Sequence, residues 1–256
     1  MAASLAIIAL VGVVSGWIVG ASAAGWGALS VPLLILLGVE PLPAISASLA
    51  ASVILSLFGG ATHWRYDRSR VAPLVPLVLG GVGGSLLGSF VSPALPTPIL
   101  RLLIGVTTLM MGILTLLRQN GVGSKDAGGY KDAKWRGMSG TIFGIGAVAG
   151  LSAGAFGTGW GPIGVTLLVW AGIPPHTVVG SSLLSRSLVA VTAAGSYALQ
   201  AGSIPLELFF PLLIAGGLGV YLGVRTSNGF STAGMRKFLG GVVTLLGVLT
   251  VVKYLW

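Results

Sequence analysis

The chain has 256 residues, of which 54% are hydrophobic and only 7% are charged. A soluble domain carries roughly 25% charged residues, so too few remain here to cover a surface that faces water. The net charge of +9 lies mainly in loops between apolar segments, which favours cytoplasmic membrane loops over a nucleic-acid-binding surface. The absence of cysteine excludes disulfides, thiolate chemistry and cysteine-based metal sites.

The first apolar segment leads into a glycine-flanked tryptophan, Gly25-Trp26-Gly27, and a short apolar segment follows it. The N-terminal stretch has the look of a signal peptide. No Lys or Arg precedes its apolar part, however, and we interpret it as part of the fold. Longer apolar runs follow at 44–64, 71–91 and 98–117, each close to the roughly 20 residues that span a hydrocarbon core. These runs predict an all-α polytopic membrane protein.

The second half of the chain repeats the sequence pattern of the first. A shift of 134 positions aligns the first Gly-Trp-Gly with Gly159, Trp160 and Gly161. We predict repeat 1 at 1–118, a basic cytoplasmic linker at 119–139 and repeat 2 at 140–256. Each repeat is expected to hold one broken or re-entrant helical segment and three full transmembrane spans. Small residues spaced for close helix packing recur in both repeats, at Gly80, Gly84 and Gly88 and at Ala215, Gly219 and Gly223.

The loop charges orient the two repeats. Basic residues cluster at 65–70 in repeat 1, in the linker, and at 225–237 in repeat 2, whereas the loops equivalent to the first and third clusters are uncharged. Because Lys and Arg mark the cytoplasmic side, this pattern predicts inverted topology. The linker and the turn at 173–176 then share one side, so the long and short segments together cross an even number of times. The short segment is shorter than the hydrocarbon core, which favours a broken or re-entrant element over two full crossings.

The glycine breaks are candidate binding elements. Inverted repeats with glycine-interrupted segments at matching places are typical of secondary transporters, whose substrate lies near the midplane. Unwound backbone offers N–H groups there, and the helix that follows points its positive dipole end at the cavity, which suits an anion. The alternative is that the glycines permit close packing and the indoles fill space.

These segments resemble the TauE/SafE-type anion permeases, or sulfite exporters. The matching residues are "GWGALSVPLLILLG" at 25–38 with "AISASL" at 44–49, and "GWGPIGVTLLVWAG" at 159–172 with "VVGSSL" at 178–183. The chain departs from the family pattern where Trp26 and Trp160 interrupt a run of glycines and where Thr166 replaces a proline. The resemblance implies export of sulfur oxyanions such as sulfite, thiosulfate or organosulfonates, sulfoacetate among them.

Arg186 is the sharpest single candidate because it is expected near the middle of a span. An intramembrane arginine is costly and usually faces a cavity or a partner. Ser182 and Ser185, with Ser181 one step round the helix, bring hydroxyls near it. A guanidinium with hydroxyls and helix-end N–H groups would bind a sulfonate or sulfite well. The alternative is a structural arginine bonded to carbonyls of a neighbouring helix.

The predicted substrate-binding residues come from both breaks and from the equivalent spans that follow them: Gly25, Trp26, Gly27, Ser48, Ser52, Gly159, Trp160, Gly161, Ser181, Ser182, Ser185 and Arg186. Ser52 is the repeat mate of Arg186, which makes the predicted site asymmetric. The sequence has no metal-ligand cluster, no phosphate-binding loop and no paired carboxylates in an apolar segment. It therefore predicts no cofactor, no metal and no enzymatic activity.

We expect a multi-pass protein of the inner (cytoplasmic) membrane that moves a small anion by alternating access between the two repeats. Its partners would be this anion and the lipid bilayer, without nucleic acid. An anion channel of the same architecture is the alternative. The sequence leaves open which anion is carried, the direction and coupling of transport, and the oligomeric state, with a homo-oligomer among the options.

Overall fold

The computed structural model describes residues 5–22, 25–66, 74–117, 137–158, 160–173, 175–202, 204–226 and 232–256. Within these ranges every regular element is helical. The first repeat contains α1 (Leu5–Ser22), α2 (Gly27–Leu36), α3 (Pro41–Tyr66), α4 (Leu74–Ala94) and α5 (Thr97–Leu117). The second contains α6 (Ser139–Phe156), a π-helical turn (Trp160–Gly164) that continues into α7 (Val165–Trp170), then α8 (Pro175–Ala201), α9 (Leu206–Thr226) and α10 (Thr232–Leu255). The predicted all-helical class is confirmed.

Five of the described helices are long and apolar enough to cross a membrane: α4, α5, α6, α9 and α10. The helices α3 and α8, with 26 and 27 residues, are longer still, although α8 carries Arg186 and several serines among its apolar residues. The helix α2 has only 10 residues, about 15 Å at 1.5 Å per residue, and cannot span a bilayer alone. Five such helices and the further apolar ones confirm a polytopic membrane protein.

The long helices of one repeat pack most extensively on helices of the other repeat. The helix α1 packs on α9, and in the same way α6 packs on α4. The third helices of the two repeats, α3 and α8, contact each other, as do the last helices, α5 and α10. This exchange of equivalent partners is what a two-fold arrangement of the repeats would produce. The opposite membrane orientation of the repeats stays a prediction.

Small residues let the α4–α6 and α1–α9 pairs approach until their backbones touch. A Cβ atom at Gly84 would overlap the carbonyl oxygen of Ala147 in α6, and one at Gly219 would overlap the carbonyl oxygen of Val13 in α1. Because only glycine lacks a Cβ atom, these positions set the helix separation. The packing role predicted for the spaced glycines is confirmed.

The short helix α2 is fixed at its C-terminal end by α10. The ammonium of Lys253 donates a hydrogen bond to the carbonyl oxygen of Leu36 at 2.7 Å, and the hydroxyl of Tyr254 donates to that of Ile35 at 2.8 Å. The carbonyl oxygen of Ile35 also accepts from the amide of Gly38 at 3.0 Å, so these two donors add to the cap of the helix terminus, and a cation suits the negative end of the helix dipole. The last residues of α10 therefore hold the end of α2 remote from the glycine break.

Candidate functional site

The two glycine breaks lie against each other. A Cβ atom on Gly27 would overlap the carbonyl oxygen of Gly157, and one on Gly25 would lie 3.3 Å from Cδ of Pro162 and 3.6 Å from the amide nitrogen of Gly161. A side chain at Gly27 would force the two backbones apart, so glycine is required for this contact. The start of α2 and the start of the π-helical turn therefore lie side by side, and this contact between the two breaks is the junction.

A cavity with an empty volume of about 350 Å³, including the part that opens outward, lies at this junction. Its walls come from both breaks and from α3, α6 and α8, and are formed by Gly25, Gly27, Ala28, Leu49, Ser52, Ala153, Gly157, Thr158, Trp160, Gly161, Arg186, Val189 and Ala190. Among these residues Arg186 carries the sole charged side chain, and none is acidic. The described part of the cavity is thus a mostly apolar chamber with one cationic wall.

Half of the predicted substrate-binding residues line this cavity. They are Gly25, Gly27, Ser52, Trp160, Gly161 and Arg186. Ser52 in α3 and Arg186 in α8 occupy equivalent positions in the two repeats, 134 residues apart. The cavity therefore brings together the two breaks and the equivalent residues Ser52 and Arg186, of which only Arg186 is charged.

Each of the two tryptophans packs against a glycine of the other repeat, but only Trp160 lines the cavity. The ring of Trp160 fills the space that Gly81 of α4 leaves, where a Cβ atom would lie only 2.6 Å from Cζ3 of the indole. The ring of Trp26 packs in the same way against Gly216 of α9. Trp160 lines the cavity, whereas Trp26 is completely buried behind the wall, and its Nε1 has no hydrogen-bond partner.

Two predicted serines lie outside the lining. The hydroxyl oxygen of Ser48 is 2.6 Å from that of Ser30, which donates to the carbonyl oxygen of Trp26 at 3.1 Å. Ser48 is fully buried, and its hydroxyl supports the glycine break from behind. Ser185 is also fully buried and does not contribute to the cavity wall.

Some predictions fall outside what the structure describes. Gly159 lies outside the described residues, as do the side chains of Ser181 and Ser182 and most of the linker at 119–139. Whether these serines contribute hydroxyls to the site stays a prediction.

Thr158 and Gly157 also line the cavity, although neither was predicted from the sequence to bind substrate. The hydroxyl oxygen of Thr158 is buried and has no hydrogen-bond partner, although the residue lines the cavity. Gly157 ends α6 with φ of 66°, a left-handed conformation that favours glycine. The sequence did distinguish Thr158. It is a polar residue beside the second break, whereas the equivalent residue beside the first break is the apolar Ala24. The apolar wall residues carried no comparable signal.

The chemistry of the described lining is suited to an anion. A guanidinium, a threonine hydroxyl and the backbone at two helix starts all favour negative charge. In the described part of the chain no group of three or more His, Asp or Glu side chains could hold a metal. The glycines and indoles of the breaks are packing elements, and their role in binding a substrate stays a prediction.

The apolar helices are those of a polytopic membrane protein, and a partly open cavity lies between its two glycine breaks. The family model of the sulfite exporter TauE/SafE matches residues 8–250, and the chain belongs to this family. Relatives in Bacillus subtilis (strain 168) include the probable membrane transporter proteins YtnM and YjnA. YtnM is 24% identical, over 97% of this chain and 83% of its own length, and YjnA is 26% identical, over 94% and 97%. A third, YdhB, is 27% identical over 87% of this chain and 88% of its own length. No solved structure matches the chain significantly.

Proposed function

We propose that the protein is a secondary transporter that carries a small sulfur oxyanion, such as sulfite or an organosulfonate, through the cavity between the two glycine breaks. The family and the relatives support membrane transport, and the family name supports a sulfur oxyanion and export as the direction. The inner (cytoplasmic) membrane is the proposed location.

The observation that carries this proposal is the position of Arg186. Its side chain lines the central cavity, only partly buried, with Thr158 and the glycines of both breaks around the same space. A guanidinium offers several donors in a planar fork that matches an oxyanion, and a mostly apolar chamber strengthens its attraction for negative charge. An arginine within a long helix of a membrane protein is costly to retain, which is in line with a functional role.

Alternating access is supported by the relation between the repeats. The two breaks meet at the cavity, and the long helices exchange equivalent partners across the repeats. If the repeats have inverted topology, as the loop charges predict, a rearrangement that closes one entrance would be mirrored by one that closes the other. Transport would then need no nucleotide or cofactor.

The test replaces Arg186 in purified protein reconstituted into liposomes. We expect Arg186→Ala to weaken sulfite binding about thirtyfold or more and to abolish sulfite flux, since the cavity loses its cation. Arg186→Lys should recover part of the binding but not the bidentate geometry. The control is Arg225→Ala, because Arg225 lies at the end of α9, stacked 4.5 Å from the ring of Tyr221 and outside the cavity lining. Wild-type sulfite binding and flux in a folded Arg186→Ala protein would contradict the proposal.

Counterflow separates a transporter from an anion channel of the same architecture. In vesicles loaded with unlabelled sulfite, a transporter accelerates the entry of labelled sulfite, because the loaded carrier returns faster than the empty one. A channel shows no such acceleration and no saturation at moderate concentration. We expect saturation and trans-acceleration, and their joint absence would identify a channel instead.

A further inference from the structure

We propose that the cavity selects monovalent anions over divalent ones, and that Thr158 is a specificity-determining residue that holds the anion beside Arg186. This inference rests on the proposed function and narrows the class of substrate to anions that carry a single negative charge. Of the sulfur anions that the resemblance brings into view, hydrogensulfite and simple monosulfonates satisfy this condition. Thiosulfate and sulfoacetate, which carry two negative charges near neutral pH, do not.

The described lining of the cavity carries a single positive charge. Arg186 is the one charged side chain among the described residues that form the cavity, and its equivalent in the other repeat is the neutral Ser52. The hydroxyl of Ser52 already donates to the carbonyl oxygen of Leu49 at 2.8 Å. A two-fold arrangement of the repeats could have supplied two facing cations at these positions, and this chain has only one.

Part of the cavity wall is apolar, which makes a second negative charge costly. Five lining residues, Ala28, Leu49, Ala153, Val189 and Ala190, offer no side-chain hydrogen bond to an anion. The cost of moving an ion from water into such surroundings rises with the square of its charge, whereas its attraction to Arg186 rises only in proportion to the charge. The partial positive charge at the start of α2 adds a further attraction that also rises only in proportion to the charge of the anion. The second negative charge therefore adds about three times the transfer cost of the first but gains no more attraction than the first, which favours a monovalent anion.

Thr158 supplies a neutral hydrogen-bond donor. Its side chain is 2% exposed and lines the cavity, and its hydroxyl oxygen has no hydrogen-bond partner. A buried hydroxyl that lacks a partner is costly, so a bound oxyanion that accepts its hydrogen bond removes this cost. The hydroxyl is neutral and therefore stabilises the anion without adding the second cation that a dianion requires.

Methanesulfonate and methylphosphonate provide a matched pair of probes. They have nearly the same shape, but methylphosphonate carries one charge in mildly acidic solution and two in alkaline solution. We expect both to stabilise the purified wild-type protein against heat in mildly acidic solution. In alkaline solution methanesulfonate should still bind, whereas methylphosphonate should bind about tenfold more weakly or worse. Methanesulfonate, whose charge is constant, controls for any effect of pH on the protein.

The role of Thr158 is tested with Thr158→Val, which keeps the shape and removes the hydroxyl. Binding of methanesulfonate should weaken about tenfold, and Thr158→Ser should restore it. Thr108→Val is the matched control, because the hydroxyl of Thr108 is equally buried and without a partner but lies in α5, outside the cavity lining. Equal weakening by both valine variants would overturn the assignment of Thr158.

The outcomes separate this inference from the proposed function. If alkaline methylphosphonate binds as tightly as methanesulfonate and Arg186→Ala abolishes both, the central anion site stands and its selection of monovalent anions falls. If neither probe nor sulfite binds the wild-type protein at any pH, the proposed function and the inference fall together. Selective binding of the singly charged form, lost in Arg186→Ala, supports both.

Discussion

At the scale of single residues, duplicated sequence does not imply duplicated roles. Trp26 and Trp160 occupy equivalent positions and each packs on a glycine of the fourth helix of the other repeat. Only Trp160 contributes to the cavity wall, while Trp26 is completely enclosed. The same divergence separates Arg186 from Ser52, which both line the cavity. One repeat thus carries the charge and the aromatic wall, and the other contributes mainly backbone and small side chains.

Replacing each tryptophan with alanine should distinguish these roles. Both variants lose a large buried side chain, at a cost of about 3–5 kcal/mol in the free energy of unfolding. Trp160→Ala should in addition enlarge the cavity, so that benzenesulfonate stabilises the variant against heat more than it stabilises the wild type. Trp26→Ala removes bulk behind the wall and should gain no such ligand. A gain of benzenesulfonate binding in both variants, or in neither, would count against Trp160 as a wall of the site.

At the scale of helices, glycine positions determine which faces can meet. The neighbours Gly83 and Gly84 on α4 show the contrast, because a Cβ atom at Gly84 would overlap the carbonyl oxygen of Ala147 while one at Gly83 would meet nothing within 4 Å. The equivalent contrast on α9 lies between Gly219, which touches α1, and Gly217, which has open space around it. The close backbone contact with the neighbouring helix is therefore confined to one side of each fourth helix.

Alanine substitutions at these neighbours make a stringent comparison. We expect Gly84→Ala to lower the free energy of unfolding by about 1–3 kcal/mol, because the added methyl group forces α4 and α6 apart. Gly83→Ala should be neutral or stabilising by up to about 1 kcal/mol, since alanine favours the helix. The melting temperature in detergent measures both effects, and Gly219→Ala with Gly217→Ala repeats the comparison on α9. Similar shifts for both members of a pair would show that the glycine contacts do not limit packing.

The sequence predicted these elements well because membrane helices have a strong local signature. Long apolar runs, basic loops and duplicated glycine breaks are all visible without a partner in space. What could not be predicted was which residues around each break face the cavity, since that depends on how α3, α6 and α8 meet there. The structure accordingly places Ser48 behind the break and Thr158 in the wall, although only Ser48 was predicted to bind substrate.

At the scale of the whole molecule, the two repeats are interleaved and not simply side by side. The helix α9 packs on α1 and α3 to form one bundle, its equivalent α4 packs on α6 and α8 to form a second, and α3 and α8 meet between the two. Each of these bundles contains helices of both repeats. The backbone contacts at Gly84 and Gly219 join helices inside a bundle. Movement of one whole repeat against the other would have to separate these close contacts. We therefore expect the two mixed bundles to be the units that move during transport.

A disulfide across the α4–α8 seam tests this expectation. The hydroxyl oxygens of Ser89 and Ser196 lie 2.7 Å apart, close enough for cysteines at both positions to bond, and the chain has no other cysteine. The link would join repeat 1 to repeat 2 covalently, yet both positions belong to one mixed bundle. If the bundles move as units, the oxidised Ser89→Cys, Ser196→Cys protein should transport sulfite within about twofold of the same protein after reduction, a difference below about 0.5 kcal/mol. The single-cysteine variants control for the substitutions. Loss of transport on oxidation, restored by a reductant, would instead mean that the repeats slide past each other at this seam and that α4 and α8 belong to different moving units.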